Sequence, residues 1–187
     1  MSKRSVVIFD WDGTLMDSTA KIVASMQAAG VECGLGALGF QEIENIIGLG
    51  LPEAILVLYP DALSSERESL RLSYSHHYVN VCTVSTPLFH GVTALLDGLV
   101  EADFQLAIAT GKSRQGLNRV LKQSGLSSYF VTSRCADETE SKPHPKMLFE
   151  ILDELALCPE SALMIGDTEY DLEMASLASI SSKGVTY

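Results

Sequence analysis

The feature that most constrains this chain is a short apolar run that ends in a carboxylate. Residues 6–9 are apolar and mostly β-branched, and Asp10 follows them directly. An unbroken apolar run of this length is typical of a strand buried on both faces of a parallel sheet. Two more such runs, at residues 106–109 and 162–165, alternate with stretches of helical periodicity. The sequence therefore predicts an α/β protein with a parallel sheet.

Residues 15–85 interrupt this alternation, because they hold several helical patterns and no strand pattern of comparable quality. Pro52 can open one helix as its first residue, and Ser65 with Glu68 forms a capping-box pattern at the start of another. We therefore expect a helical domain inserted after the first strand. The predicted division is a core domain of residues 1–14 and 86–187 and a cap domain of residues 15–85.

The other predicted elements follow the same periodicities. In the cap, helices are expected at about 18–33, 41–47, from 52 onward and 65–81. In the core, helices are expected at about 92–101, 113–124, 145–157 and 168–178, with short strands at 129–131 and from 184 onward. The strands of the core thus alternate with helices that can cover the sheet.

Composition limits the partners of the chain. Lysine and arginine number 13 against 24 aspartate and glutamate residues, a formal net charge of 13 − 24 = −11. Such an acidic chain is a poor binder of nucleic acid and of anionic membranes. A phosphate site in it must be built locally, from a metal ion and a few placed cations. No stretch has the length of a signal peptide's apolar region or of a membrane span.

The spacing of the cysteines indicates whether the protein is expected in an oxidising or a reducing compartment. None of them stands in a C-x-x-C pair, so their spacing suggests neither a zinc site nor a disulfide framework. Free and mostly buried thiols are expected in a reducing environment, and a cytoplasmic location follows from this. The four residues are Cys33, Cys82, Cys135 and Cys158.

Polar residues gather where the predicted strands end. Because the carboxyl ends of parallel strands meet at one edge of a sheet, these residues are expected to form one site. Its carboxylates would repel one another unless a cation joined them, and hard oxygen ligands favour Mg²⁺. The lysine adds a second positive charge, and the threonine and nearby backbone N–H groups can bind further oxygens. The residues are Asp10, Asp12, Thr110, Lys142, Asp167 and Asp171.

These groups resemble, in order and spacing, the four motifs of the haloacid dehalogenase (HAD) superfamily. The resemblance implies a Rossmann-like HAD fold, and the helical insert resembles the small cap of the phosphoglycolate phosphatase-like branch. It also implies an enzyme that hydrolyses a small phosphorylated metabolite. The four motifs are Asp10-Trp-Asp12-Gly-Thr-Leu-Met-Asp-Ser18, Thr110, Lys142 and Gly166-Asp167-x-x-x-Asp171.

The resemblance also implies a role for each residue. Asp10 would attack phosphorus and form an aspartyl-phosphate, and Asp12 would act as general acid and then general base. Thr110, Gly111 and Lys142 would hold the transferring phosphoryl group.

Metal binding is implied in the same way. Asp10, Asp167 and the backbone carbonyl of Asp12 would bind Mg²⁺. Asp171 would bind it directly or through water.

Other readings of the same motifs stay open. A dehalogenase lacks an acid two residues after the nucleophile, and a phosphonatase has a small residue there, so Asp12 argues against both. A phosphomutase of the β-phosphoglucomutase type has a histidine where this chain has Ile22. A catalytically idle HAD-fold binding protein could keep every motif.

Several residues have no assigned role. Lys112 is expected at the surface or mouth of the site. His76 and His77 are expected in the core or at the surface, and the alternative is that one of them faces the mouth of the site. The segment Gly48-Leu49-Gly50 is either a loop that approaches substrate or a plain helix break. Trp11 is expected to pack, and Glu169 to face solvent.

The C-terminal part departs from the resemblance in two ways. Members of this branch usually continue past the last strand with a loop and a helix, whereas this sequence stops at Tyr187. Ser179 stands where the branch usually has glycine. We therefore expect an incompletely covered sheet, and either a monomer or a weak homodimer.

Overall fold

In the computed structural model, which describes residues 5–187, the chain is built around a parallel sheet. Its strands are β1 (Val6–Phe9), β2 (Gln105–Thr110), β3 (Thr132–Cys135), β4 (Ala162–Gly166) and β5 (Ser181–Gly184). Their order across the sheet is β3-β2-β1-β4-β5, and every neighbouring pair is parallel. The central position of β1 explains its unbroken apolar run, since helices cover both of its faces.

Residues of β1 alternate between two hydrophobic clusters. Val6 and Ile8 belong to one cluster, and Val7 and Phe9 belong to the other. This period of two is what a pleated strand produces when both faces are buried. The predicted α/β class and Rossmann-like parallel sheet are confirmed.

The helices fall into two groups. Those of the first group precede β2 in the chain: α1 (Thr19–Glu32), α2 (Phe40–Glu44), α3 (Leu51–Leu58), α4 (Ser64–His76) with a π-helical turn (His77–Val81), and α5 (Val92–Glu101). The second group consists of α6 (Arg114–Ser124), α7 (Lys146–Leu155), a 3₁₀ turn (Pro159–Ser161) and α8 (Glu169–Leu177). Helices α5 and α6 cover one face of the sheet, and α7 and α8 cover the other.

Helices α1 to α4 enclose a hydrophobic cluster of their own. Its buried residues include Met26, Ile43, Ile55 and Leu70, and none of its members belongs to the clusters over the sheet. Leu15 and Met16, by contrast, pack in the core beside β1. A separate helical cap agrees with this packing, while the exact boundaries at residues 14, 15, 85 and 86 stay a prediction.

Three local predictions are wrong. The third strand is Thr132–Cys135 rather than 129–131, and the last strand ends at Gly184 instead of beginning there. Both are edge strands with polar residues, so they lack the apolar signal that marks the central strands. Helix α4 begins at Ser64, where the N–H of Leu63 donates to Glu66 Oε2 (2.7 Å), so the expected Ser65–Glu68 box does not form.

Candidate active site

The register of the sheet brings the predicted site residues to one edge. Phe9 pairs with Ile108 on one side and with Ile165 on the other. Asp10 directly follows β1, Thr110 is the last residue of β2, and Asp167 directly follows β4, so the three lie at the same edge of the sheet. The site rests on the two most central strand pairings of the fold.

Lys142 joins two carboxylates beneath this edge. Its Nζ donates to Oδ1 of Asp10 and to Oδ1 of Asp171, each at 2.6 Å, and its side chain is fully buried. Burial alone would lower the pKa of Lys142, but the two carboxylates more than offset this and raise it above its usual value. The lysine is thus a fixed positive charge between the ends of two strands.

Asp10 keeps one oxygen free of protein contacts. Its Oδ2 is buried and has no hydrogen-bond partner among residues 5–187, whereas Oδ1 accepts from Lys142. Burial raises the pKa of Asp10 well above its usual value, and the attraction of Lys142 opposes this while Asp171 and Asp167 add to it. A buried carboxylate oxygen without a partner is costly, so an additional cation or a reacting group is expected beside it.

A group of three carboxylates fits a divalent cation at this place. Oxygens of Asp10, Asp167 and Asp171 all lie within 4.8 Å of one another. Thr14 Oγ1 donates to Asp167 Oδ1 (2.7 Å), which holds that carboxyl group toward the site. The three carboxylates carry more negative charge than one lysine balances, and carboxylate oxygens are the ligands that Mg²⁺ prefers.

The backbone at Gly13 leaves room for the carboxyl group of Asp167. Gly13 has φ +80°, and a Cβ on it would lie 2.1 Å from Asp167 Oδ2. Although Asp167 is exposed as a residue, protein atoms shield its carboxyl group. This desolvation raises its pKa to about 6, and a hydrogen bond from Thr14 opposes the shift. Glycine is therefore required at position 13.

The side chain of Asp12 is held away from the three-carboxylate group. Its Oδ1 accepts from Ser18 Oγ (2.5 Å) and lies 3.0 Å from Lys112 Nζ. Through Lys112, which also contacts Tyr78, the Asp12 carboxyl group is connected to the cap. Metal binding through the Asp12 backbone carbonyl stays a prediction.

Lys112 lies in the wall of the site rather than at the open surface of the protein. Its side chain is only 10% exposed, and its Nζ also lies 3.5 Å from Tyr78 Oη of the cap. Lys112 stands two residues after Thr110, at a strand end. This position is the sequence signal that could have revealed that Lys112 belongs to the site. No such signal marks Tyr78, which lies on the π-helical turn after α4.

The loop between α2 and α3 packs on the strand-end loops of the core. A Cβ on Gly111 would lie 2.4 Å from the Leu49 carbonyl oxygen. The Gly50 N–H donates to Ser141 Oγ (2.7 Å), next to Lys142. Thr110 is fully buried, and its Oγ1 accepts from the Lys112 N–H (3.2 Å). The cap loop therefore packs against Gly111 and Ser141, which are the chain neighbours of Thr110 and Lys142.

A cavity of about 180 Å³ lies between this loop, the cap helices and the strand ends. Its charged lining residues are Asp10, Asp12, Lys112 and Arg119. Its apolar lining residues include Ile22, Met26, Ile46, Ile47, Leu49, Leu51 and Ala54. The cavity can hold a small molecule that has both charged and apolar parts.

The remaining residues to which the sequence assigned no role lie outside this cavity. His76 is exposed and His77 pairs with Glu32 (2.8 Å). Trp11 is fully buried, and its Nε1–H points to Met16 Sδ at 3.4 Å. Glu169 is exposed, as expected.

All four cysteines are free thiols, but only Cys135 is buried, so the expectation of mostly buried thiols is wrong. Burial raises the pKa of Cys135 to about 12. No helix within residues 5–187 combines the length and apolarity that a bilayer crossing requires.

The fold and the acidic strand-end site define an α/β protein of the HAD type, and comparison with known proteins agrees. The model of the family described as haloacid dehalogenase-like hydrolase matches residues 7–185, so the chain belongs to that family. The resemblance to its phosphoglycolate phosphatase-like branch is also confirmed.

Two relatives and one solved structure illustrate the similarity. The chain is 30% identical over 183 residues to an N-acetylmuramic acid 6-phosphate phosphatase of Pseudomonas putida, covering 97% of this chain and 82% of that protein. It is 28% identical over 190 residues to a phosphoglycolate phosphatase of Vibrio vulnificus, covering 97% and 83%. A haloacid dehalogenase-like hydrolase from Bacteroides fragilis superposes with a TM-score of 0.90 at 29% identity, covering 98% and 88%.

Proposed function

We propose that this protein is a magnesium-dependent phosphatase that hydrolyses a small phosphomonoester through an aspartyl-phosphate. The observation that carries the proposal is the buried, unpartnered Oδ2 of Asp10 beside a lysine that fixes Oδ1. Asp10 lines the cavity, and a carboxylate that is held by one oxygen while the other has no partner is arranged as a nucleophile.

In the proposed first step, Asp10 Oδ2 forms a bond to phosphorus while the bond to the leaving oxygen breaks. The Asp12 carboxyl group gives its proton to that oxygen, so the product leaves as an alcohol. In the second step, Asp12 takes a proton from water, the water oxygen attacks phosphorus, and Asp10 is released with free phosphate. Ser18 and Lys112 keep the Asp12 carboxyl group in place for both transfers.

The surrounding residues bind the phosphoryl oxygens. The Thr110 hydroxyl, the Gly111 N–H and the Lys142 ammonium group are proposed as the donors. Asp10, Asp167, Asp171 and the backbone carbonyl of Asp12 would hold Mg²⁺, which neutralises carboxylate and phosphoryl charge when it is bound.

A hydrolase explains the site better than the phosphomutase alternative. Ile22, at the position where the mutase type has histidine, lines the cavity and offers no group that can move a proton. The names of the relatives above both describe phosphatases, and each names the phosphate of an organic acid. We propose a small phosphorylated metabolite as substrate. An idle binding protein would fail the assay below.

The assay is turnover of 4-nitrophenyl phosphate. Activity should require Mg²⁺, disappear on chelation and stay low with Ca²⁺, whose looser coordination aligns the reacting groups poorly. Asp10→Asn should lower kcat by roughly 10⁴ or more, because an amide does not attack phosphorus. Asp153→Asn, the same change at an exposed position of α7, is the matched control. An Asp10→Asn protein within tenfold of the parent would refute the mechanism.

The free thiols agree with a reducing compartment, and we propose a cytoplasmic enzyme. A monomer or weak homodimer is proposed for its assembly state. Light scattering over a range of protein concentrations measures it.

A further inference from the structure

Two aromatic residues hold two successive peptide groups of the loop that follows β1. The Tyr187 hydroxyl donates to the Thr14 carbonyl oxygen (2.7 Å), and the Phe89 N–H donates to the Leu15 carbonyl oxygen (3.1 Å). The two rings are stacked, with 3.6 Å between their centroids and 5° between their planes. Because Phe89 precedes α5 and Tyr187 follows β5, two parts of the chain that are distant in sequence meet at this loop.

This loop directs one carboxylate of the proposed cation site. Lys142 donates to Asp10 and to Asp171. Asp167 is held differently: in the part of the chain that the structure describes, Thr14 is the one side chain that donates to it, from Oγ1 to Oδ1 at 2.7 Å. The direction of the Asp167 carboxyl group therefore depends on Thr14, as the directions of the other two depend on the lysine.

The contact with Tyr187 fixes the position of Thr14. Thr14 is buried and β-branched, so the direction of its hydroxyl group follows the position of its backbone. The Tyr187 hydroxyl holds that backbone at the carbonyl oxygen. Burial raises the pKa of Tyr187, and the negative charge of Asp167 raises it further, so this hydroxyl stays a donor at neutral pH.

We infer that Tyr187 is a positioning residue for the cation site: it fixes Thr14, and Thr14 directs Asp167 toward the cation. This inference rests on the proposed Mg²⁺-dependent function. Loss of a group that holds a metal ligand typically weakens metal binding by about 10–100-fold, and Tyr187 acts one contact further out, so a smaller effect is expected. Tyr187 is 71% exposed, so its replacement should change metal affinity more than it changes the fold.

The test measures Mg²⁺ affinity without turnover. The thermal midpoint, recorded against Mg²⁺ concentration at constant ionic strength, gives the dissociation constant, because a ligand that binds only the folded protein raises the midpoint. Tyr187→Phe keeps the stacked ring and removes the hydroxyl, and it should raise the Mg²⁺ dissociation constant by about threefold or more. The matched control is Tyr129→Phe, which removes an exposed hydroxyl that donates to Asp97 and should leave the constant at the parental value.

A double substitution tests whether the effect passes through Thr14. Thr14→Val removes the hydroxyl that contacts Asp167 and should raise the dissociation constant by about tenfold or more. Adding Tyr187→Phe to Thr14→Val should change the constant by less than about twofold, since the group that Tyr187 positions is already gone. A purely structural role for Tyr187 would instead lower the midpoint in chelator and leave the Mg²⁺ dissociation constant unchanged.

Two results overturn the inference. One is an increase of less than about threefold for Tyr187→Phe, and the other is an equal increase for Tyr187→Phe with and without the Thr14 hydroxyl. The 4-nitrophenyl phosphate assay keeps the proposed function separate. A parent that binds Mg²⁺ but hydrolyses no phosphomonoester refutes the phosphatase alone, and the dissociation constants still decide the role of Tyr187. A parent whose midpoint does not respond to Mg²⁺ refutes both.

Discussion

Two lysine–aspartate contacts flank the end of β1, and they differ in what holds them. Lys142 contacts Asp10 and Asp171, and all three are fully buried in the core. Asp10 and Lys142 lie in loops, and Asp171 lies in the first turn of α8. Lys112 contacts Asp12 and also Tyr78, so this second contact joins the core to the cap. The first arrangement is set within the core domain, whereas the second also depends on where the cap lies. Substitutions at the two lysines should therefore have different consequences.

The largest effect is expected for Lys142→Met. It leaves the Asp10 and Asp171 carboxylates buried without their common partner, and removing one member of a buried ion pair typically costs about 3–5 kcal/mol. Urea unfolding in the presence of a chelator measures this loss of stability. Turnover of 4-nitrophenyl phosphate should fall by about 10³ or more, since a phosphoryl-binding cation is also lost. A free energy of unfolding within about 1 kcal/mol of the parent would contradict the proposed importance of the buried pair.

A smaller and more selective effect is expected for Lys112→Met. The Asp12 carboxyl group loses its cation but keeps the Ser18 hydroxyl, so the free energy of unfolding should change by about 1 kcal/mol. Turnover should fall about tenfold or more on an alkyl phosphate and less on 4-nitrophenyl phosphate, because the nitrophenolate group leaves without a proton. Equal losses on both substrates, measured for the first chemical step, would mean that Lys112 does not act through Asp12.

The smallest effect is expected for Ser179→Gly, which lies outside both contacts. Ser179 follows α8 with φ +58°, a conformation that costs a non-glycine residue about 1 kcal/mol. Glycine should therefore raise the free energy of unfolding by about that amount, with kcat unchanged. Thermal unfolding and the 4-nitrophenyl phosphate assay measure the two quantities. A lower midpoint would show that the serine side chain stabilises this turn.

The contrast between the two lysines also explains what sequence alone could predict. The apolar run before Asp10 is a local signal, and the parallel register then places Thr110 and Asp167 at the same edge. Edge strands such as β5 lacked that signal, because exposed polar residues form them. Tyr78 was missed because its contact with Lys112 spans 34 residues and depends on how the cap docks. The contacts between cap residues and the site depend on tertiary packing, which the periodicity of the sequence does not reveal.

Trp11, the only tryptophan in the sequence, gives the site an optical reporter. It lies between Asp10 and Asp12, is fully buried, and packs edge-on against Phe130 with 6.4 Å between ring centroids. Selective excitation of Trp11 at the red edge of the indole absorption band would therefore report on the surroundings of Asp10 and Asp12 without an added label. Stopped-flow measurement of the tryptophan fluorescence would follow ligand binding and release on the native chain. The distribution of fluorescence lifetimes would report how many conformers the surroundings of Trp11 adopt.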